Sequence, residues 1–440
     1  VYRSAGGFRA SAAVPQTADS AAGPIPVSVR TLLDSAELAL PDTSEFSFRP
    51  YRVRYTPDYV ARPTVGYERD NFGRGFFGGT AISLSDMLGN HTLVFAGSVN
   101  GRLSEAQVLG VYINQSRRLN WATGFSQDPI YFYAPSSVDP ISGGPPDIKF
   151  VTRLRRYVVR DAFGAAYYPF NRFRRLEFGL HFVNIGQATL ELSEFYDNAG
   201  NFYGGDLRTV DGPSIGYVQP SVALVHDNAL FGYVGPFAGV RSRFQLSPTF
   251  GTWHFHSGLA DYRRYLFARP FTLAFRTLFF GRWGRDADDF PLFLGNTDLL
   301  RGYTAGSFRD NECVAEVTTA SRTGCAELDQ LIGSKLAVAN VELRFPLVRN
   351  VVFGFLPVGL PPIEAALFYD LGVAWDDASV VKWQRDPAEN PVRVRTPLKS
   401  YGASIRANLL GIAVLRFDYT KPLDRPRKDS YWTVSLGPTF

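Results

Sequence analysis

One methionine, two cysteines, five histidines and only 20% charged residues are low counts for a chain of 440 residues. No stretch approaches the ~20 uninterrupted apolar residues of a membrane helix. The best candidate, Val351 to Tyr369, is broken by Pro357, Pro361 and Pro362 and carries Glu364. If such a chain crosses a membrane it must do so as a barrel, because only helices and closed barrels satisfy their backbone groups in lipid. His91, His181 and His226 lie in separate segments, and His254 and His256 share a strand without cysteine or clustered aspartate nearby. That spacing fits no metal site. Nor does any segment show nucleophile-elbow spacing, so catalysis is not expected and no cofactor is implied. A net charge of +5 and a pI near 9.1 would suit nucleic acid. However, Arg153, Arg155, Arg156 and Arg160 are strung along a strand instead of clustering in one arm, and nucleic-acid binding is not expected.

What the chain does have is strand chemistry: 36 Phe, 22 Tyr and 41 Gly. The last ten residues show how these are arranged. Phe440, Pro438, Leu436, Val434 and Trp432 fall on one face, and Thr439, Gly437, Ser435, Thr433 and Tyr431 on the other. A period of two with one greasy and one small, polar face fits a strand between lipid and a wet lumen. A soluble sandwich strand can show the same alternation, so recurrence along the chain decides.

It recurs. Residues 1–46 are rich in Ala, Ser and Pro without a sustained period, and read as a linker or tail from a missing upstream module. The chain also begins at Val1, which leads us to expect a piece of a longer protein. Residues 47–440 read as one outer-membrane β-barrel. The pattern predicts about sixteen strands: 51–67, 75–86, 91–101, 105–115, 118–133, 149–168, 173–193, 214–228, 235–248, 251–267, 270–284, 334–346, 362–375, 398–409, 411–421 and 431–440. The links sort by parity. Those at 134–148, 194–213, 285–333 and 376–397 are long, while 87–90, 169–172 and 268–269 are tight. Long external loops and short periplasmic turns are the barrel habit. The Pro-rich link 347–361 is a long exception on the inner side.

Charge falls on one face of each strand. Asn340, Glu342 and Arg344 oppose Val341, Leu343 and Phe345; Asp370 opposes Tyr369 and Leu371; Arg416 and Asp418 oppose Leu415 and Phe417. On the lipid face a mid-depth Arg or Lys would cost about 2–4 kcal/mol. Charges are therefore expected to point inward.

One long external link contains Arg301-Gly302-Tyr303. An arginine in a loop, with Asp370 and Glu342 facing inward, predicts a loop folded into the lumen with its guanidinium held by those carboxylates. Gly302 permits a tight bend there. The alternative is a surface arginine in a solvated loop. Cys313 and Cys325, twelve residues apart, permit a loop-closing disulfide in an oxidising compartment, the alternative being two free thiols.

Together these residues resemble the outer-membrane protein assembly factor family (BamA, TamA and the bacterial surface antigen barrels). The resemblance covers residues 51–440 and is strongest after residue 290. Arg301, Gly302 and Tyr303 match the family's Arg-Gly-Phe/Tyr motif at the tip of the sixth external loop. Phe368, Asp370 and Gly372 match its strand-thirteen motif, and Gly437, Thr439 and Phe440 its closing Gly-x-Thr-aromatic. The resemblance implies that Arg301 locks the loop inside the barrel against Asp370, with Glu342 as second partner. It also implies that the final residues form an insertion signal read by the barrel-insertion machinery. Pro438 is a departure that either marks a labile seam or lies beyond the last ladder bond. Residues 1–46 are too short for a POTRA repeat, and Asp86-Met87-Leu88-Gly89-Asn90-His91 resembles barrels that follow a TolB-like β-propeller. The expected roles are thus a protein assembly or translocation module, a plugged anchor for an upstream domain, or a diffusion pore. The expected partners are outer-membrane lipid and periplasmic or surface protein domains.

Overall fold

Phe, Tyr, Val and Leu at alternate positions, with small or charged residues between, favour a pleated strand whose two faces meet different surroundings. The computed structural model describes residues 50–437 apart from 71–72, 102–104, 290, 309–311, 313–324, 349–350, 353–358, 387–388, 391 and 410–412. The tail assigned to residues 1–46 lies outside the described residues, and the fold considered below is Val53–Phe440.

Nineteen described strands join in one antiparallel sheet. Strands that continue one another along a shared partner form single rows, which we number in chain order. The first half holds β1 (Tyr55–Val60, resumed at Thr64–Asp70), β2 (Gly73–Asp86), β3 (His91–Gly101), β4 (Gln107–Asn114), β5 (Asn120–Pro140), β6 (Ile148–Pro169), β7 (Arg174–Tyr196) and β8 (Phe202–Asp211, resumed at Ile215–Asp227 and Leu230–Phe231). The second half holds β9 (Pro236–Gly251), β10 (Phe255–Ala268), β11 (Phe271–Trp283), β12 (Lys335–Val348), β13 (Ile363–Trp375), β14 (Leu398–Leu409), β15 (Ala413–Pro422) and β16 (Tyr431–Leu436). Each row pairs with the next. No described helix is long and apolar enough to cross a membrane.

The two faces differ as the alternation requires. Along β14, Ser400, Ser404 and Arg406 are buried while Tyr401, Ala403 and Ile405 are exposed. Along β15, Arg416, Asp418 and Thr420 are buried while Phe417 and Tyr419 are exposed. A sheet with large apolar side chains outward and ionised ones inward is inside-out for water and right-side-out for lipid.

Two differences from the sequence reading stand out. First, 134–148 and 194–213 are not loops for most of their length. β5 continues to Pro140 and β6 starts at Ile148, while β7 runs to Tyr196 and β8 begins at Phe202. The 23 residues of β7 span roughly 75 Å at about 3.3 Å each. An apolar band is only about 25 Å tall. The upper parts of β5–β8 therefore stand clear of it, and their polar faces hid them from a search for greasy alternation. Second, the closed ring is not complete. Among the described residues β16 pairs with β15 alone and β1 with β2 alone, so no ladder joins last strand to first.

Long links do lie at one end. Residues 284–334 join β11 to β12 and 376–397 join β13 to β14, whereas 87–90, 170–173 and 269–270 close the other end.

Candidate functional site: an arginine clamp between loop and wall

Register places the charges. Across the inner face, Asn340 of β12 stands opposite Asp370 of β13, and Asp370 opposite Ser400 of β14. Two positions along, Glu342 stands opposite Phe368. Strand pairing thus presents Asp370, Glu342 and Phe368 as one inward patch before any loop arrives.

The loop brings Arg301 onto it. Nε donates to Asp370 Oδ2 and Nη2 to Asp370 Oδ1, both at 2.6 Å, forming a fork-on-fork pair. Nη1 donates to Glu342 Oε1 at 2.8 Å. The guanidinium lies over the Phe368 ring, 3.5 Å from its centroid. A desolvated cation on an aromatic face adds about 2 kcal/mol. Arg301 is 2% exposed, and Glu342 and Asp370 are fully buried. Burial works against the charge on Arg301, but Asp370 and Glu342 more than offset it and hold its pKa above the ordinary value. The strands complete the network. Arg344 Nε donates to Glu342 Oε2 at 2.8 Å, Arg406 Nη2 to Glu342 Oε1 at 2.6 Å, and Asn340 Nδ2 to Asp370 Oδ1 at 2.8 Å.

Gly302 turns the chain beside the pair with φ +91°. A side chain there would meet Thr420 Cγ2 at 3.0 Å. The Tyr303 side chain then reaches the wall, its hydroxyl donating to Lys399 O of β14 at 2.8 Å and accepting from Asp424 N at 3.2 Å. Burial pushes the Tyr303 hydroxyl above its usual pKa. Gly372 gives room of another kind, because a Cβ there would come within 3.2 Å of the Leu294 methyls.

Apart from Tyr303, which the motif had marked, the apolar seat of the loop escaped the sequence reading. Leu294, Leu300, Tyr303 and Leu331 of the loop pack against inward-facing Leu278, Leu336, Val338, Ala374 and Leu398 of the wall. The inner face is thus apolar where the loop rests and ionic below it. The hint was present: these inward positions carry Leu and Val where a purely wet lumen would have polar residues.

A second clamp is Arg425, in the link between β15 and β16. It donates to Glu312 Oε1 and Oε2 at 2.6 and 2.9 Å, and to Gly302 O at 3.0 Å. Its guanidinium stacks on Phe308, 4.0 Å from the ring centroid. Both partners lie in loops, where no periodicity marks them.

Of the remaining expected residues, Gly437 lies just beyond Leu436, the last residue of β16, while Pro438, Thr439 and Phe440 lie outside the described residues. Cys325 is disulfide-bonded. Cys313, the other cysteine of the chain, lies outside the described residues.

Comparison with known proteins agrees with the second half of this geometry. The model of the Omp85 superfamily domain matches residues 226–440. Among solved structures, BamA from Haemophilus ducreyi lacking POTRA domains 1–3 aligns with 88% of this chain and 70% of its own, at 13% identity and a TM-score of 0.47. CdiB from Acinetobacter baumannii aligns over 88% and 64%, at 10% identity and a TM-score of 0.44. CdiB from Escherichia coli aligns over 88% and 67%, at 14% identity and a TM-score of 0.41. No curated protein matches the sequence. The matched segment runs from the end of β8 through β16, and so holds both clamps. Residues 226–440 of this chain, close to half of it, match the Omp85 superfamily domain.

Proposed function

We propose that the chain is an outer-membrane barrel that assembles or translocates other proteins, with Arg301 locking its long loop against the inner wall. The observation that carries this reading is the bare edge of β16. Among the described residues its Tyr431–Leu436 ladder has a partner on one side only. Unpaired backbone groups at membrane depth cost several kcal/mol each. An edge of that kind is a template for a strand from another chain. The superfamily match over residues 226–440 supports the same reading.

The loop favours one competitor over the other. Leu294, Leu300, Arg301 and Tyr303 occupy the inner face, which supports a plugged anchor and opposes a wide diffusion pore. Reconstitution separates the three. In liposomes, the chain should speed the folding of a urea-unfolded outer-membrane barrel severalfold over empty liposomes, read from the growth of its heat-modifiable band. An unchanged rate with no current across a planar bilayer would leave the anchor, and a large steady current would leave the pore.

A further inference from the structure

Arginine outnumbers lysine heavily here: only six of the 46 basic residues are lysine. Five of those six, Lys335, Lys382, Lys399, Lys421 and Lys428, fall in the stretch that builds the long-loop end of β12–β16. Lys335 is buried and paired with Asp377, and Lys382 is paired with Glu389. Lys399 and Lys421 differ. They occupy outward positions of β14 and β15, opposite Leu371 and Tyr401 respectively. Among the described residues neither ammonium group is ion-paired, although Asp424 Oδ2 accepts from the Lys399 backbone N–H at 2.7 Å. The outward positions of β13, β14 and β15 hold no acid at all.

Beside them the outer wall is notched. Ala337 and Ala339 of β12 lie opposite Val373 and Leu371 of β13, so two methyl groups stand where larger side chains would fill the surface. The link from β13 to β14 folds over this notch. Its Val380–Val381 segment pairs with Val394–Arg395, and Lys382 N donates to Arg395 O at 2.9 Å. The result is a groove of about 320 Å³, lined chiefly by apolar side chains and roofed by Val381, Lys382 and Trp383. Trp383 is 73% exposed, and Tyr369, Tyr401, Tyr419 and Trp432 face outward on the neighbouring strands. Amphipathic rings of this kind mark the level where hydrocarbon meets headgroups.

We infer that this groove binds one acyl chain of a phosphorylated outer-leaflet glycolipid of the lipid A type, whose phosphate rests on Lys399 and Lys421. The apolar notch takes the hydrocarbon. The two lysines carry their aliphatic stems along the greasy face and lift their ammonium groups to headgroup level. A phosphate there supplies the ion pair that, among the described residues, no carboxylate makes with either ammonium group. The inference depends on the wall lying in a membrane, but not on proteins passing through or along it.

The test is native mass spectrometry of the full chain in detergent, titrated with lipid A, with heat-modifiable migration as the check on folding. One lipid A should be retained per chain. Half-saturation should rise at least tenfold in the double variant K399Q/K421Q and in A339W, which fills the notch. Phosphate-free diacylglycerol should not be retained, and inorganic phosphate should not displace lipid A. Equal half-saturation for the parent and K399Q/K421Q would overturn the inference, as would equal retention of diacylglycerol. Displacement by inorganic phosphate alone would reduce the site to an anion site and overturn it too. If A339W loses heat-modifiable migration, K399Q/K421Q decides alone, since it leaves every wall contact of the notch in place.

Discussion

Arg301 and Asp370, 69 residues apart in the chain, face each other through two parallel hydrogen bonds of 2.6 Å. Both are buried, and a buried pair of this kind is worth most as a device for selecting one arrangement. Removing one member leaves the other charged and stranded.

R301A should destabilise the chain by about 3–5 kcal/mol, the usual penalty for an abandoned buried partner. Guanidinium unfolding followed by heat-modifiable migration reads this directly. D370A should cost a similar amount, and the double variant clearly less than the sum of the two. Strict additivity would mean that the pair does not act as a lock.

G302A adds a methyl group at φ +91°, against Thr420 Cγ2. A left-handed backbone costs a non-glycine residue roughly 1–2 kcal/mol. The variant should fold with the loop loosened, seen as faster limited proteolysis within residues 284–334. An unchanged cleavage rate would show that the bend carries no tension.

Tyr303 makes the seat sensitive to alkali. Burial raises its pKa, so the folded chain favours the neutral hydroxyl, whereas the unfolded tyrosine ionises near pH 10. Its contribution is complete below that pH and shrinks as the pH rises above it. Y303F should cost about 1 kcal/mol at neutral pH through the lost hydroxyl bonds. It should also flatten the decline of loop protection between neutral pH and strong alkali. Identical alkaline profiles for parent and variant would contradict this.

R425A should free the link between β15 and β16 together with the Glu312 side of the long loop. Because Arg425 also donates to Gly302 O, its loss should couple to R301A and not simply add. Hydrogen exchange of the amides at Ser307 and Asp424 would report both effects. Exchange that rises at only one of them would disprove a shared clamp.

Much of the wall was legible because its two faces solve different problems. Tyr369 and Leu371 could not face water in number, and Asp370 could not face hydrocarbon, so alternation alone oriented β13. The same logic marked Glu342 on β12 and paired both acids with an arginine from the loop. It failed where the solvent is water on both sides. Ser136, Ser137, Gly204, Gly205 and Asp206 carry no greasy period, yet they belong to strands held by ladder bonds to their neighbours. It also failed where the inner surface is dry, because Leu336 and Val338 face loop residues far away in sequence. Arg425 was invisible for a third reason: its partners come from two loops whose approach only the folded chain defines.

The long strands β5–β7 make the sheet much taller over its first half than over its second. There, hydrogen-bonded sheet rises like a raised lip, while the strands β11–β14 are shorter and are joined by the long links 284–334 and 376–397. Above the apolar band that lip keeps its form through the ladder bonds that join β5, β6, β7 and β8.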